Sequence, residues 1–245
     1  MKELFFGLKF AFSYFSILPI QFCKEDDLST KPVIGTMLFF LPLVGLVLGL
    51  LTIMIASFSH TWLFFLIAAV SYMLMYGFIH TEAVCDVADA IYAKHAGKDA
   101  YTIIKEPTIG AIGMFYGLAF FALKVGAIIA LFQAGHFYAF VAVLLISRLS
   151  LVALIMILPF KSSFIGTLKD ALTVPYLLGT FAIFSLVGIL LIGSQFLFFL
   201  LFGGVLAYII ARFIGNKLGF INGDVLGVTL EGVEIALFII MVVNF

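Results

Sequence analysis

HTEAVCDVADAIYAKHAGKDAYTIIKEPTIGAIG, residues 80–113, is a polar island in an otherwise apolar chain. It holds five of the thirteen acidic residues. Glu82, Asp86 and Asp89 are spaced four and then three residues apart. At about 100° per helical residue, the three fall within roughly 60° of one another on one helix face. Like charges so placed repel, which points to a compensating cation. Magnesium, a hard ion that favours carboxylate and phosphate oxygens, is the expected one.

What flanks the island decides the fold. Of 245 residues 64% are hydrophobic, 11% are charged, and the mean hydropathy is +1.28. A soluble domain of this size cannot hide so much apolar surface. The expected class is all-α, a polytopic helical membrane protein in a single domain over residues 1–245. The apolar runs are continuous rather than alternating, which argues against a transmembrane barrel. A net charge of zero gives no reason to expect a nucleic-acid partner. Cys23 and Cys85 are the two cysteines, and neither a disulfide nor a metal cluster is expected from them.

About seven membrane helices are expected, over 37–58, 62–79, 112–132, 137–158, 175–193, 196–214 and 225–244. Residues 4–22 are aromatic-rich, contain Lys9 and Pro19, and read as an interfacial helix rather than a cleavable signal. Residues 23–36 and 159–173 read as polar loops. The turns at 59–61, 133–136 and 193–195 carry no Lys or Arg. The longer loops carry Lys24, Lys31, Lys94, Lys98, Lys105, Lys161, Lys169 and Lys217. By the positive-inside rule those loops face the cytoplasm, so three helical hairpins and a C-terminal helix sit in the inner (cytoplasmic) membrane. The polar chemistry then gathers at one face, which argues against a channel or transporter.

The candidate site residues follow from this placement. Carboxylates on successive helical turns can hold magnesium against a phosphate or diphosphate; the bland alternative is a solvated helix end. Glu106 is a further candidate ligand. Gly110 and Gly113 would let backbone N–H groups approach an anion at the start of the next helix. Lys124 and Arg148 lie deep in their spans, either paired with Glu231 or Glu234 or, for Arg148, reaching a phosphate. Asn222 and Asp224 precede the last helix, where Asp can cap the helix or face the metal.

The chain resembles the cobalamin synthase family, the membrane adenosylcobinamide-GDP ribazoletransferases, and the resemblance runs over nearly its whole length. It is carried by Phe15–Pro19, LPLVGLVLG at 41–49, HTEAVCDVADA at 80–90, EPTIGAIG at 106–113, Ser147-Arg148 and NGDVLGVTLEGVE at 222–234. The resemblance implies transfer of the cobinamide-phosphate portion of adenosylcobinamide-GDP to α-ribazole or its 5′-phosphate, with release of GMP. It implies magnesium held by Glu82, Asp86, Asp89 and Glu106, with Asp89 the expected proton acceptor. Gly110, Gly113, Arg148, Asn222, Asp224 and Glu231 are the expected substrate-binding residues. The partners are those substrates and the lipid bilayer, with a homo-oligomer left open. Four positions depart from the family pattern: Glu82 and Glu106 stand where Asp is usual, and Ala83 and Ala90 where Gly is usual. They keep open a divergent or inactive relative. A CDP-alcohol phosphotransferase-like lipid enzyme would need a longer acid ladder, whereas Ala90-Ile91-Tyr92 follow Asp89 here. A cation carrier would need acids spread across the bilayer.

Overall fold

The computed structural model describes residues 2–22 and 27–244, so Cys23 lies outside the described residues. The described chain is helical without strands, in the order α1 (Lys2–Phe15), α2 (Lys31–Phe39), α3 (Leu41–Ala56), α4 (Trp62–Met75), α5 (Ile79–His95), α6 (Ala100–Ile103), α7 (Ala111–Gln133), α8 (Phe137–Ile157), α9 (Ser163–Ala171), α10 (Val174–Ile192), α11 (Gln195–Leu218) and α12 (Gly223–Asn244). Five of these, α7, α8, α10, α11 and α12, are long and apolar enough to cross a membrane. The bent pairs α2–α3 and α4–α5 bring the number of spans to as many as seven. The chain is a multi-pass helical membrane protein, as composition required.

Burial separates central helices from lipid-facing ones. In α8, 83% of the most apolar stretch is buried, against 17% in α10. α12 is the second central helix and packs on α5, α7, α8 and α11. Small residues set how closely helices approach. Gly45 of α3 lies on the Arg148 side chain of α8, and Gly49 on Val141 and Leu144. At Gly203 of α11 an added methyl would run into Ile146.

The expected helix limits shift where local chemistry outweighs hydropathy. The 37–58 span is broken at Phe40, with a 40° bend between α2 and α3. α2 begins at Lys31, inside the expected 23–36 loop, because Pro32 suits a first helical turn and Val33–Leu38 are buried. The 62–79 span ends at Met75, where Gly77 (φ 68°) and Phe78 (φ 55°) turn left-handed and close α4. α5 then departs at 75° to α4 and carries the acidic triplet. In the expected 159–173 loop, Ser162 caps α9 through the Ile165 N–H (3.3 Å), and Ile165, Leu168 and Ala171 bury one face. α1 is 14 residues long, about 21 Å at 1.5 Å per residue and short of the ~30 Å hydrocarbon core. It packs on α2, where Gly7 meets Thr36 and the Thr36 hydroxyl donates to the Glu3 carbonyl (2.9 Å). At its far end α5 is tied to α11 by Lys94, whose ammonium donates to the Lys217 and Leu218 carbonyls (2.9 and 3.0 Å) at a helix C-terminus.

A fully buried ion cluster joins α4, α7, α8 and α12. Lys124, Glu231, Glu234 and Arg148 are each at most 3% exposed. Lys124 bridges Glu231 (2.8 Å) and Glu234 (2.7 Å), while Arg148 pairs with Glu234. The Tyr72 hydroxyl donates to Glu234 (3.0 Å), Tyr76 to Glu231 (2.8 Å) and Ser147 to Glu234 (2.9 Å). Two positive and two negative groups cancel, and the hydroxyls occupy further carboxylate lone pairs. Removing one partner would strand a buried charge, which costs about 3–5 kcal/mol. Lys124→Met is therefore expected to lower stability by about that much, read as a shift in chemical unfolding in detergent micelles; an unchanged midpoint would show that the cluster does not hold the helices.

Candidate active site

A cavity of about 390 Å³ opens at the end of the bundle where α5 and α12 begin. Its walls come from seven parts of the chain: Tyr14 and Phe15 of α1, Leu41, His80 and Ala83 of α5, Tyr101 and Lys105, Leu151 and Ile155 of α8, Lys161–Ile165, and Asn222–Asp224 with Gly227 of α12. The crossing of α5 and α12 forms its floor. A methyl added at Gly227 would touch the Ala83 methyl at 2.7 Å, so the glycine makes room for the alanine.

One wall is acidic. Asp224 lines it and hydrogen-bonds the Asn222 amide, which donates to its carboxylate (2.6 Å). Asn222 also caps α12 by accepting the Val225 N–H (3.2 Å). Asp86 lies within electrostatic reach of Asp224, Glu82 and Asp89. Burial and the Asp224 carboxylate together push the Tyr14 phenol above its ordinary value, which places α1 against this wall. His80 closes the inner end, stacked on Tyr76 with ring centres 5.5 Å apart. Tyr76 in turn binds Glu231, so the cavity rests on the buried ion cluster.

Asp89 has another partner. Its carboxylate accepts the Gly110 N–H (2.6 Å) and the Gly113 N–H (2.8 Å), capping α7 from the neighbouring helix. Added methyls at Gly110 and Gly113 would strike this carboxylate, and one at Gly117 would strike the Cys85 sulfur. The glycines thus let α7 pack on α5, and the N–H groups expected to cradle a phosphate are given to Asp89. Glu106 is exposed in the turn before α7. Arg148 and Glu231, expected at the substrate, lie in the buried cluster and do not line the cavity. The structure does bring Glu82, Asp86, Asp224 and Asn222 to one region.

Among the described residues, no three His, Cys, Asp or Glu side chains form a ready metal cage. Magnesium is usually held by one or two carboxylates together with waters and substrate phosphates. Asp86, with Glu82 and Asp224 nearby, provides that kind of donor set.

The cavity lining is also cationic, through lysines that the sequence marks only as topology signals. Tyr101 and Lys105 stand four residues apart around α6, and Lys161 comes in beside them from the turn before α9. Asp99 caps α6 through the Tyr101 and Thr102 N–H groups (3.3 and 3.2 Å). Those bonds, led by the Thr102 hydroxyl, hold its carboxyl below the ordinary range.

The family model described as cobalamin-5-phosphate synthase matches residues 7–242. The chain belongs to that family. A relative from Chlorobaculum parvum is 27% identical over 96% of this chain and 94% of its own length, and is named adenosylcobinamide-GDP ribazoletransferase. Relatives with the same name from Chlorobium phaeovibrioides and Brevibacillus brevis are 30% identical over 85% of this chain and 22% identical over 95% of it, respectively. They are matched over 88% and 96% of their own lengths. No solved structure matches. Within this chain, the departures noted in the sequence have distinct surroundings. Ala83 lines the cavity opposite Gly227, whereas Ala90 is buried in the core. Glu82 is exposed beside Asp86 and Asp224.

Loss of the cap made by Asp89 should be visible without any assay of chemistry. Asp89→Ala is expected to lower stability by about 1–2 kcal/mol, as for other lost caps. It should also speed amide exchange in the first turn of α7. Unchanged exchange at Gly110 and Gly113 would show that the cap is not formed.

Proposed function

We propose that the protein transfers the cobinamide-phosphate portion of adenosylcobinamide-GDP to α-ribazole or its 5′-phosphate, releasing GMP, in cobalamin biosynthesis. The observation that carries this reading is the cavity at the crossing of α5 and α12, lined by Asp224, Asn222, Lys105 and Lys161, with Asp86 and Glu82 within electrostatic reach of Asp224. Family membership over residues 7–242 and the names of the full-length relatives support the same reaction.

In the proposed reaction a ribose hydroxyl of the acceptor attacks the phosphorus that bears cobinamide. The new P–O bond forms as the bond from that phosphorus to the bridging oxygen breaks, and GMP leaves with that oxygen. The hydroxyl proton passes to a carboxylate. Asp224 is better placed for this than Asp89, because both Asp89 oxygens already accept backbone N–H groups. Asp86 and Glu82 would hold magnesium, which when bound would neutralise charge developing on the diphosphate. His80 and Asn222 shape the cavity, and the remaining catalysis is positioning. The distribution of lysines supports a site on the cytoplasmic side of the inner membrane. A carrier reading has less support, since Lys124, Arg148, Glu231 and Glu234 are bound to one another.

Protein reconstituted in lipid with adenosylcobinamide-GDP, α-ribazole and magnesium should yield a cobalamin product and GMP. Failure under conditions where the Chlorobaculum parvum relative turns over would sink the reading. Asp86→Asn should lower turnover by about 10²-fold or more, as when a charge-stabilising group is removed, with the unfolding midpoint unchanged. Chelating magnesium should stop the wild-type reaction, and turnover persisting in its absence would remove the metal from the proposal.

A further inference from the structure

The cationic wall is unusual in how its charges are placed. Lys105 Nζ lies 3.9 Å from the centre of the Tyr101 ring, and Lys161 Nζ lies 4.0 Å from the same centre. The two ammonium groups are therefore no more than about 8 Å apart. Among the described residues neither forms a salt bridge with a carboxylate. Like charges held this close repel, and an anion seated between them would relieve the repulsion.

Their positions are fixed by the fold. Tyr101 follows the Asp99 cap and meets Phe220 edge to face, with ring centres 5.1 Å apart. Lys161 is anchored through its own backbone N–H, which donates to the Ile221 carbonyl (2.8 Å), and it precedes the Ser162 cap of α9. Lys161 also lies 5.6 Å from the Phe220 ring. Tyr101, Lys105 and Lys161 all line the cavity that Asp224 also lines. A phosphate entering this space is repelled by the acidic wall unless a metal covers it, and is drawn to the lysines.

We propose that Lys105 and Lys161, aligned by Tyr101, form a subsite for a phosphate group carried by one of the two substrates. The inference rests on the proposed function. The phosphate belongs either to the acceptor, as the 5′-phosphate of α-ribazole, or to the guanosine diphosphate of the donor. Direct binding by ammonium groups suits a phosphate that is not already clamped by the metal at the acidic wall.

The test uses the full chain in lipid nanodiscs, with Lys105→Gln, Lys161→Gln and the corresponding Arg variants. Either Gln variant should raise KM for the substrate that supplies the phosphate at least tenfold, and the Arg variant should restore most of the loss. If the rise appears with α-ribazole 5′-phosphate and is far smaller with α-ribazole, the subsite serves the acceptor. If the donor KM rises equally with either acceptor, it serves the diphosphate. KM values within twofold of wild type for every substrate, or a fall in kcat alone that Arg does not rescue, would overturn the subsite. Calorimetric titration with α-ribazole 5′-phosphate and with GMP gives a readout independent of turnover. Wild type that binds more tightly than Lys161→Gln supports the subsite even if the proposed reaction fails. Equal affinities for both probes overturn it.

Discussion

Lys124 is a full positive charge in the middle of a membrane helix, and the arrangement of the bundle answers to it. A cation at that depth is tolerated only when acids meet it inside the protein. Glu231 and Glu234, three residues apart on α12, point at it together, and Arg148 from α8 completes the balance. Four helices are thereby fixed in rotation and in register, because no other rotation of α12 presents both acids to α7 and α8. The Tyr72 and Tyr76 hydroxyls draw the end of α4 into the same cluster.

That constraint reaches the cavity through a short path. Tyr76 holds Glu231 and stacks on His80, and its hydroxyl also meets that of Thr81 (3.1 Å). α4 ends beside this contact, and the left-handed turn at Gly77 and Phe78 sends α5 away at 75°. α5 therefore lays its acids across the beginnings of α7 and α12. At α7 the acid is spent on structure, since Asp89 caps the helix between two glycines. At α12, Asp224 lines the cavity and stands within electrostatic reach of Asp86 and Glu82.

The result is a space lined by both signs of charge. Asp224 comes to it from the start of α12, and ammonium groups come from the end of α6 and the turn before α9. The cavity draws on seven separated stretches of chain, some of them short helices or turns. Such stretches sit at the membrane edge, where backbone polar groups can still find water and the chain need not be a continuous span.

Much of this was legible in the residues themselves. Hydropathy gave the long helices to within a few positions, because an apolar run of some twenty residues has few other stable states in lipid. Charge spacing marked Glu82, Asp86 and Asp89 as one face, and depth marked Lys124 and Arg148 as groups that need partners. Spacing along one helix, however, is silent about what stands opposite. Only the tertiary structure decided that Asp89 turns to the N–H groups of α7 while Asp86 looks toward Asp224. It likewise decided that Arg148 and Glu231 belong to the buried cluster and that Lys105 and Lys161, 56 residues apart, meet over one tyrosine ring. The physical reason is that helix periodicity is local, whereas the pairing of a charge depends on which helix is packed against it.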